Sequence, residues 1–174
     1  MNKIGMRLMT LFAATLATVA AMGQNQQGYA EAHAAAMAAS PGYAFRIDLK
    51  ANFTGGLYWE YQIAKPGPWG SRVRVATPDI RVTRIRSLEV DSRVPRSGLN
   101  PVTAGANAVQ AASAKYGADM QILRFEAIGR SDGSVRYRVK LNILGDDGGM
   151  FDQDLEVTLD STGKVIKIER SDDY

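Results

Sequence analysis

The sequence contains no cysteine, and its one histidine is His33. Without cysteine, neither a disulfide nor a thiolate metal site contributes, so stability rests on packing. A lone imidazole near Glu31 is not a catalytic or metal constellation, because no second anchored ligand stands beside it. His33 therefore reads as an exposed or helix-packing residue. The chain also lacks G-x-S-x-G, H-E-x-x-H and P-loop patterns. Ser161-Thr162-Gly163-Lys164 does fit the S-x-x-K pattern of acyl-enzyme hydrolases. That pattern works at the start of a helix, one turn before its lysine. Here it lies between two β-patterned runs, where turn chemistry accounts for Asp160, Ser161 and Gly163. No catalytic residues are expected, and the chain does not read as an enzyme.

Long apolar runs are also scarce. The first runs from Leu8 to Met22 and is broken by three threonines. Lys3 and Arg7 precede it, and Ala21-Met22-Gly23 puts small residues at the −3 and −1 positions. This is the pattern of a signal peptide cleaved before Gln24. A run of about 15 residues is short for a ~30 Å hydrocarbon core. No cysteine follows it, so lipid anchorage is not expected. The expected location is periplasmic or secreted, with no stable membrane insertion after cleavage.

Charge excludes one further class. The whole chain has 21 basic and 18 acidic side chains. Losing Lys3 and Arg7 leaves 19 bases against 18 acids, a net charge of +1. A nucleic-acid partner loses its main support. The excess is uneven, however. Residues 24–99 carry 10 bases and 6 acids, whereas 100–174 carry 9 and 12.

What the sequence does contain is a repeated order of elements. Asn100 and Pro101 are good starting residues for a helix, and Val102, Ala106, Val109, Ser113 and Tyr116 recur at spacings of four and three. Gly117 is placed to end it. Gln121–Gly129, Val135–Ile143, Asp154–Leu159 and Lys164–Glu169 then alternate as strands, punctuated by Ser131-Asp132-Gly133-Ser134 and Asp160-Ser161-Thr162-Gly163. The same order runs from Tyr29–Ala39 through Tyr43–Phe53, Leu57–Ile63, the run with Val73 and Val75, and Ile80–Arg86.

The expected fold is α+β, with two repeated units, each one helix packed on a small antiparallel sheet of about four strands. The boundaries are a signal peptide at 1–23, a first unit at 24–87, a linker at 88–99 and a second unit at 100–174. Phe45, Ile47, Trp59, Tyr61, Phe125, Tyr137, Val139, Leu155 and Val157 occupy the apolar phase and are expected to be buried. Units of about 60 residues are marginal alone, so they are expected to pack on each other or the chain to form a homodimer.

The second unit resembles a PepSY domain. The resemblance rests on the helix Ala104–Tyr116, the strands around Phe125 and Arg136-Tyr137-Arg138-Val139, and the ending Leu155–Glu169, a strand, an Asp-x-x-Gly turn, Lys-Val and a strand. The first unit is less similar, since Pro78-Asp79-Ile80 replaces the turn. The resemblance implies an exported, non-enzymatic module that binds or restrains another envelope or secreted protein, a peptidase among the candidates. It carries over no catalytic residues and implies no cofactor.

Two groups of residues are candidates for contact. Trp69, between Pro68 and Gly70, is either an interface anchor or a lid over its own core. Arg72 and Arg74, with Arg81, Arg84 and Arg86, lie on two adjacent runs and suit an acidic partner. Trp69, Arg72 and Arg74 are the expected partner-binding residues. The alternative function is a binder of calcium or another hard cation. Its site would be Asp146, Asp147, Asp152 and Asp154 beside the Gly-rich loop. Against it stand Arg136, Arg138 and Lys140, which are placed to pair with those acids across strands.

Overall fold

The computed structural model describes residues 28–144 and 150–171, with the backbone alone for 150–153. The expected signal peptide lies outside the described residues. Helix α1 spans 28–39. Four strands follow: β1 Tyr43–Ala51, β2 Leu57–Ala64, β3 Trp69–Ala76 and β4 Arg81–Glu89. Helix α2 spans Pro101–Tyr116, and β5 Met120–Gly129, β6 Val135–Leu144, β7 Met150–Leu159 and β8 Val165–Arg170 complete the order.

The strands make one antiparallel sheet in the order β4-β3-β2-β1-β5-β6-β7-β8. This overturns the expectation of two separate helix-on-small-sheet units. The junction is β1 against β5, in the register Arg46↔Glu126, Ile47↔Phe125 and Asp48↔Arg124. The physical reason is edge removal. A four-stranded sheet leaves two rows of unpaired backbone groups, and joining β1 to β5 satisfies one row from each half. It also merges two marginal cores into one. Tyr29, Trp59, Tyr61, Ala104, Phe125, Tyr137 and Leu155 all belong to a single apolar cluster.

The local chemistry explains the elements. Asn100 accepts a hydrogen bond from the Val102 N–H at 2.8 Å, Pro101 opens α2, and Gly117 closes it at φ 68°. Three of the hairpins turn on side-chain oxygens. Asn52 Oδ1 accepts from the Thr54 and Gly56 N–H groups between β1 and β2. Asp132 does the same for Ser134 between β5 and β6, and Asp160 for Thr162 and Lys164 between β7 and β8.

Both helices lie on one face of the sheet and are lined with small residues. The buried positions of α2 are Pro101, Ala104, Gly105, Ala108, Val109 and Ala112. That stripe shares only Val109 with the periodicity expected from sequence. Alanine and glycine let the helix settle close to the sheet, and a Cβ on Gly105 would meet Ile122 Cδ1 at 2.7 Å. Helix α1 buries Tyr29, Ala32, His33 and Ala36. Tyr29 packs edge-on to Trp59 at 5.0 Å and donates its hydroxyl hydrogen to Pro101 O at 3.3 Å. The first helix thus touches the start of the second.

Eight of the nine expected core residues are buried. Phe45 is only half-buried. A bulge between Ala44 and Arg46 makes it the extra residue, and buried Ala44 takes the inward position instead. Strand β4 runs through Leu88 and Glu89, two residues into the segment read as a linker.

Candidate functional site

The face of the sheet away from the helices carries the charge. Reading across the registers, one charged residue comes from every strand: Arg84, Arg74, Glu60, Asp48, Arg124, Lys140, Glu156 and Glu169, from β4 to β8. The next row reads Arg86, Arg72, Gln62, Arg46, Glu126, Arg138, Thr158 and Lys167.

At the centre, Asp48 and Glu60 lie directly opposite each other on β1 and β2. Two carboxylates at that spacing repel, and each is answered by two cations. Arg46 Nε donates to Asp48 at 2.9 Å and Arg124 Nε at 2.6 Å. Lys50 Nζ donates to Glu60 at 2.6 Å and Arg74 Nε at 2.9 Å. The long cationic stems cover the acids, whose side chains are only 4% and 3% exposed. Burial pushes both carboxyls up. The hydrogen bonds and charges of the paired bases outweigh it, so both titrate below the usual carboxylate range.

The β3–β4 end of the face is different. Arg74 stands opposite Arg84, and Arg72 opposite Arg86. Like charges directly across a ladder destabilise it. Glu60 answers Arg74, which also lies 4.9 Å from the centre of the Tyr58 ring. Arg72, Arg84 and Arg86 have no ion-pair partner among the described residues. Arg72 Nε is buried and has no hydrogen-bond partner.

The three expected partner-binding residues are thus not on one surface. Arg72 and Arg74 share the open face, together with Arg84 and Arg86. Trp69 has the opposite phase of β3 and points to the helix side, opposite Glu89 at the strand end. It is 59% exposed, so it does not close the core. Exposed Ile85, on the same side, lies opposite Val73.

Of the expected cation ligands, Asp146, Asp147 and the Asp152 side chain lie outside the described residues. Asp154 is held by Lys140 Nζ at 2.9 Å and by Asn142 Nδ2 at 3.1 Å. Glu156 pairs with Arg138 at 3.5 Å. Among the described residues no group of three or more His, Asp or Glu is placed to hold a metal. Ser161 and Lys164 sit in the β7–β8 turn, whose Asp160 carboxylate accepts from the Thr162 hydroxyl at 2.7 Å and from two backbone N–H groups. His33 is buried against Tyr61, their rings 5.9 Å apart, and burial lowers its pKa.

The alternation within Tyr43–Phe53 puts Arg46, Asp48 and Lys50 on the face away from the apolar one, but it does not name Glu60, Arg74 and Arg124, with which they form the clamp. The available signal was charge alternating in sign at every second residue of β1, which asks for opposite charges on both neighbouring strands.

No protein-family model and no curated protein match the sequence. The crystal structure of a "putative lipoprotein" from Clostridium difficile 630 is similar in shape, with a TM-score of 0.47 and 13% sequence identity, over 75% of this chain and 83% of that one. No helix among the described residues is long and apolar enough to cross a membrane.

Proposed function

We propose that this chain is an exported, non-enzymatic binding module that docks another envelope or secreted protein through the open face of its sheet. The observation that carries the reading is the arginine group at the β3–β4 end. Arg72, Arg84 and Arg86 have no ion-pair partner among the described residues, and Arg72 and Arg86 face each other across the ladder. A partner that brings carboxylates supplies what this surface lacks. Export is supported by the basic start, the short apolar run and the small residues before Gln24. The peptidase as a partner rests on the PepSY resemblance alone.

The test compares the wild-type chain with Arg72→Glu/Arg86→Glu in quantitative capture from an envelope fraction. Proteins retained by the wild type at low salt are expected to be lost by the variant while its melting temperature is kept. The same protein is assayed against peptide and ester substrates. Hydrolysis that disappears in Ser161→Ala overturns the reading.

A further inference from the structure

The two outer strands of the sheet are unlike each other. Strand β8 is short, at six residues, and its Lys167 and Glu169 pair with each other. Short length and mixed charge are the usual ways an edge is kept from recruiting another strand. Strand β4 is nine residues long, and its open-face side chains between the bulge and the strand end include Arg84 and Arg86 with no acid among them. One or two cations suffice to guard an edge. Here they stand against two more arginines in consecutive rows, at a cost to the ladder.

The other face of the same strand presents Ile85, 50% exposed, between the two arginines. Among the described residues, strand β4 has β3 on one side and no strand on the other, so a row of backbone donors and acceptors faces outward. A bulge at Thr83, whose hydroxyl donates to Arg74 O at 3.4 Å, ends the regular stretch. Arg84–Glu89 is the segment left regular.

Resting on the binding reading above, we infer that the β4 edge takes an extended acidic peptide as a ninth strand. Residues of that peptide opposite Arg84 and Arg86 carry carboxylates, and the residue opposite Ile85 is apolar. Backbone hydrogen bonds supply affinity, and the alternating side chains supply selection. A second copy of this chain is the wrong occupant. An antiparallel β4–β4 pairing centred on Ile85 sets Arg84 against Arg86 twice. A nucleic acid or an anionic membrane would answer the arginines, but it offers no strand to the backbone and nothing to Ile85.

The experiment uses a synthetic peptide, acetyl-Thr-Glu-Val-Glu-Val-Glu-Thr-amide, titrated into the mature protein. Probes of equal length are a permuted peptide, the same peptide N-methylated at alternate residues, and a single-stranded oligonucleotide. Amide hydrogen exchange is followed in parallel. The alternating peptide is expected to bind, to slow exchange in β4, and to lose at least tenfold in affinity on N-methylation or with Arg84→Glu/Arg86→Glu. Lys167→Glu at the other edge is expected to leave affinity unchanged. Four results overturn the inference: no binding at millimolar peptide, equal binding of the N-methylated form, full competition by the oligonucleotide, or protection that appears in β8 rather than β4. None of them touches the broader binding reading, which stands or falls on envelope capture through Arg72 and Arg86.

Discussion

Arg124 donates to Asp48 at 2.6 Å across the β1–β5 junction, joining residues 76 apart in sequence. The acid is buried and the arginine is partly exposed. This contact ties the two halves of the sheet at the one ladder they share. Removing the arginine leaves a buried carboxylate with Arg46 as its remaining charged partner. Arg124→Met is expected to cost about 1–3 kcal/mol, the penalty for stripping a partner from a buried acceptor. A double-mutant cycle with Asp48→Asn, read by urea denaturation, checks it. A coupling near zero would mean that solvent replaces the arginine.

Acid stability follows from the same clamp. Asp48 and Glu60 have ordinary values of 3.8 and 4.5, and both are lowered in the fold. The unfolded chain therefore takes up protons first as the pH falls. The stability these groups contribute is complete above about pH 5 and is lost as the pH drops through the folded values. His33 adds a separate phase nearer neutrality. Its pKa lies below its ordinary 6.5 because it is buried against Tyr61. Stability is expected to decline as the pH falls from above 6.5 through the lowered folded value, and His33→Gln is expected to remove that decline while leaving the acid phase. Denaturation midpoints across this range decide it.

Core packing gives a third expectation. Tyr137 is 1% exposed, stacks on Phe125 at 6.0 Å and accepts a hydrogen bond from the Leu99 N–H at 2.8 Å. Tyr137→Ala is expected to cost about 3–5 kcal/mol. Phe45→Ala, at the bulge, is expected to cost clearly less. Equal losses would contradict the placement of the bulge.

Much of this was legible in the sequence, and the misses have physical causes. Alternation identified Ile47, Tyr61, Phe125 and Val157, because a period of two fixes the face. It misplaced Phe45, since a bulge shifts the phase without leaving a glycine or proline to mark it. The turns at Asp132 and Asp160 were readable because their chemistry is local. The β1–β5 pairing was not, because nothing local in Arg46-Ile47-Asp48 names Arg124 as its partner. The arginines were assigned to two adjacent runs. That Arg72 and Arg74 face Arg86 and Arg84 directly, while Arg81 faces Ala76, and that Trp69 has the opposite phase, required the register.

The opposed arginines predict a stability gain on mutation. Arg86→Gln removes the like charge facing Arg72. It is expected to raise stability by about 0.2–1 kcal/mol, and by less at high salt. A loss of stability would show that Arg86 has a favourable partner within the chain.

The cation alternative has its own check. An ion bound at 100 times its Kd stabilises by about 2.7 kcal/mol. With Asp154 already paired to Lys140, millimolar calcium is expected to move the melting temperature by no more than about 1 °C. A rise of several degrees, abolished by Asp146→Asn/Asp147→Asn, would restore the loop as the functional site.

Site-specific photo-crosslinking in the native cell tests the central claim most directly. A photoreactive residue in place of Ile85 reports on β4, and one in place of Ile166, also exposed, reports on the opposite edge. The account predicts a discrete adduct from position 85 that disappears in the Arg84→Glu/Arg86→Glu background, and none from position 166. Adducts from 166 alone, or an adduct from 85 that survives the charge reversal, would contradict it.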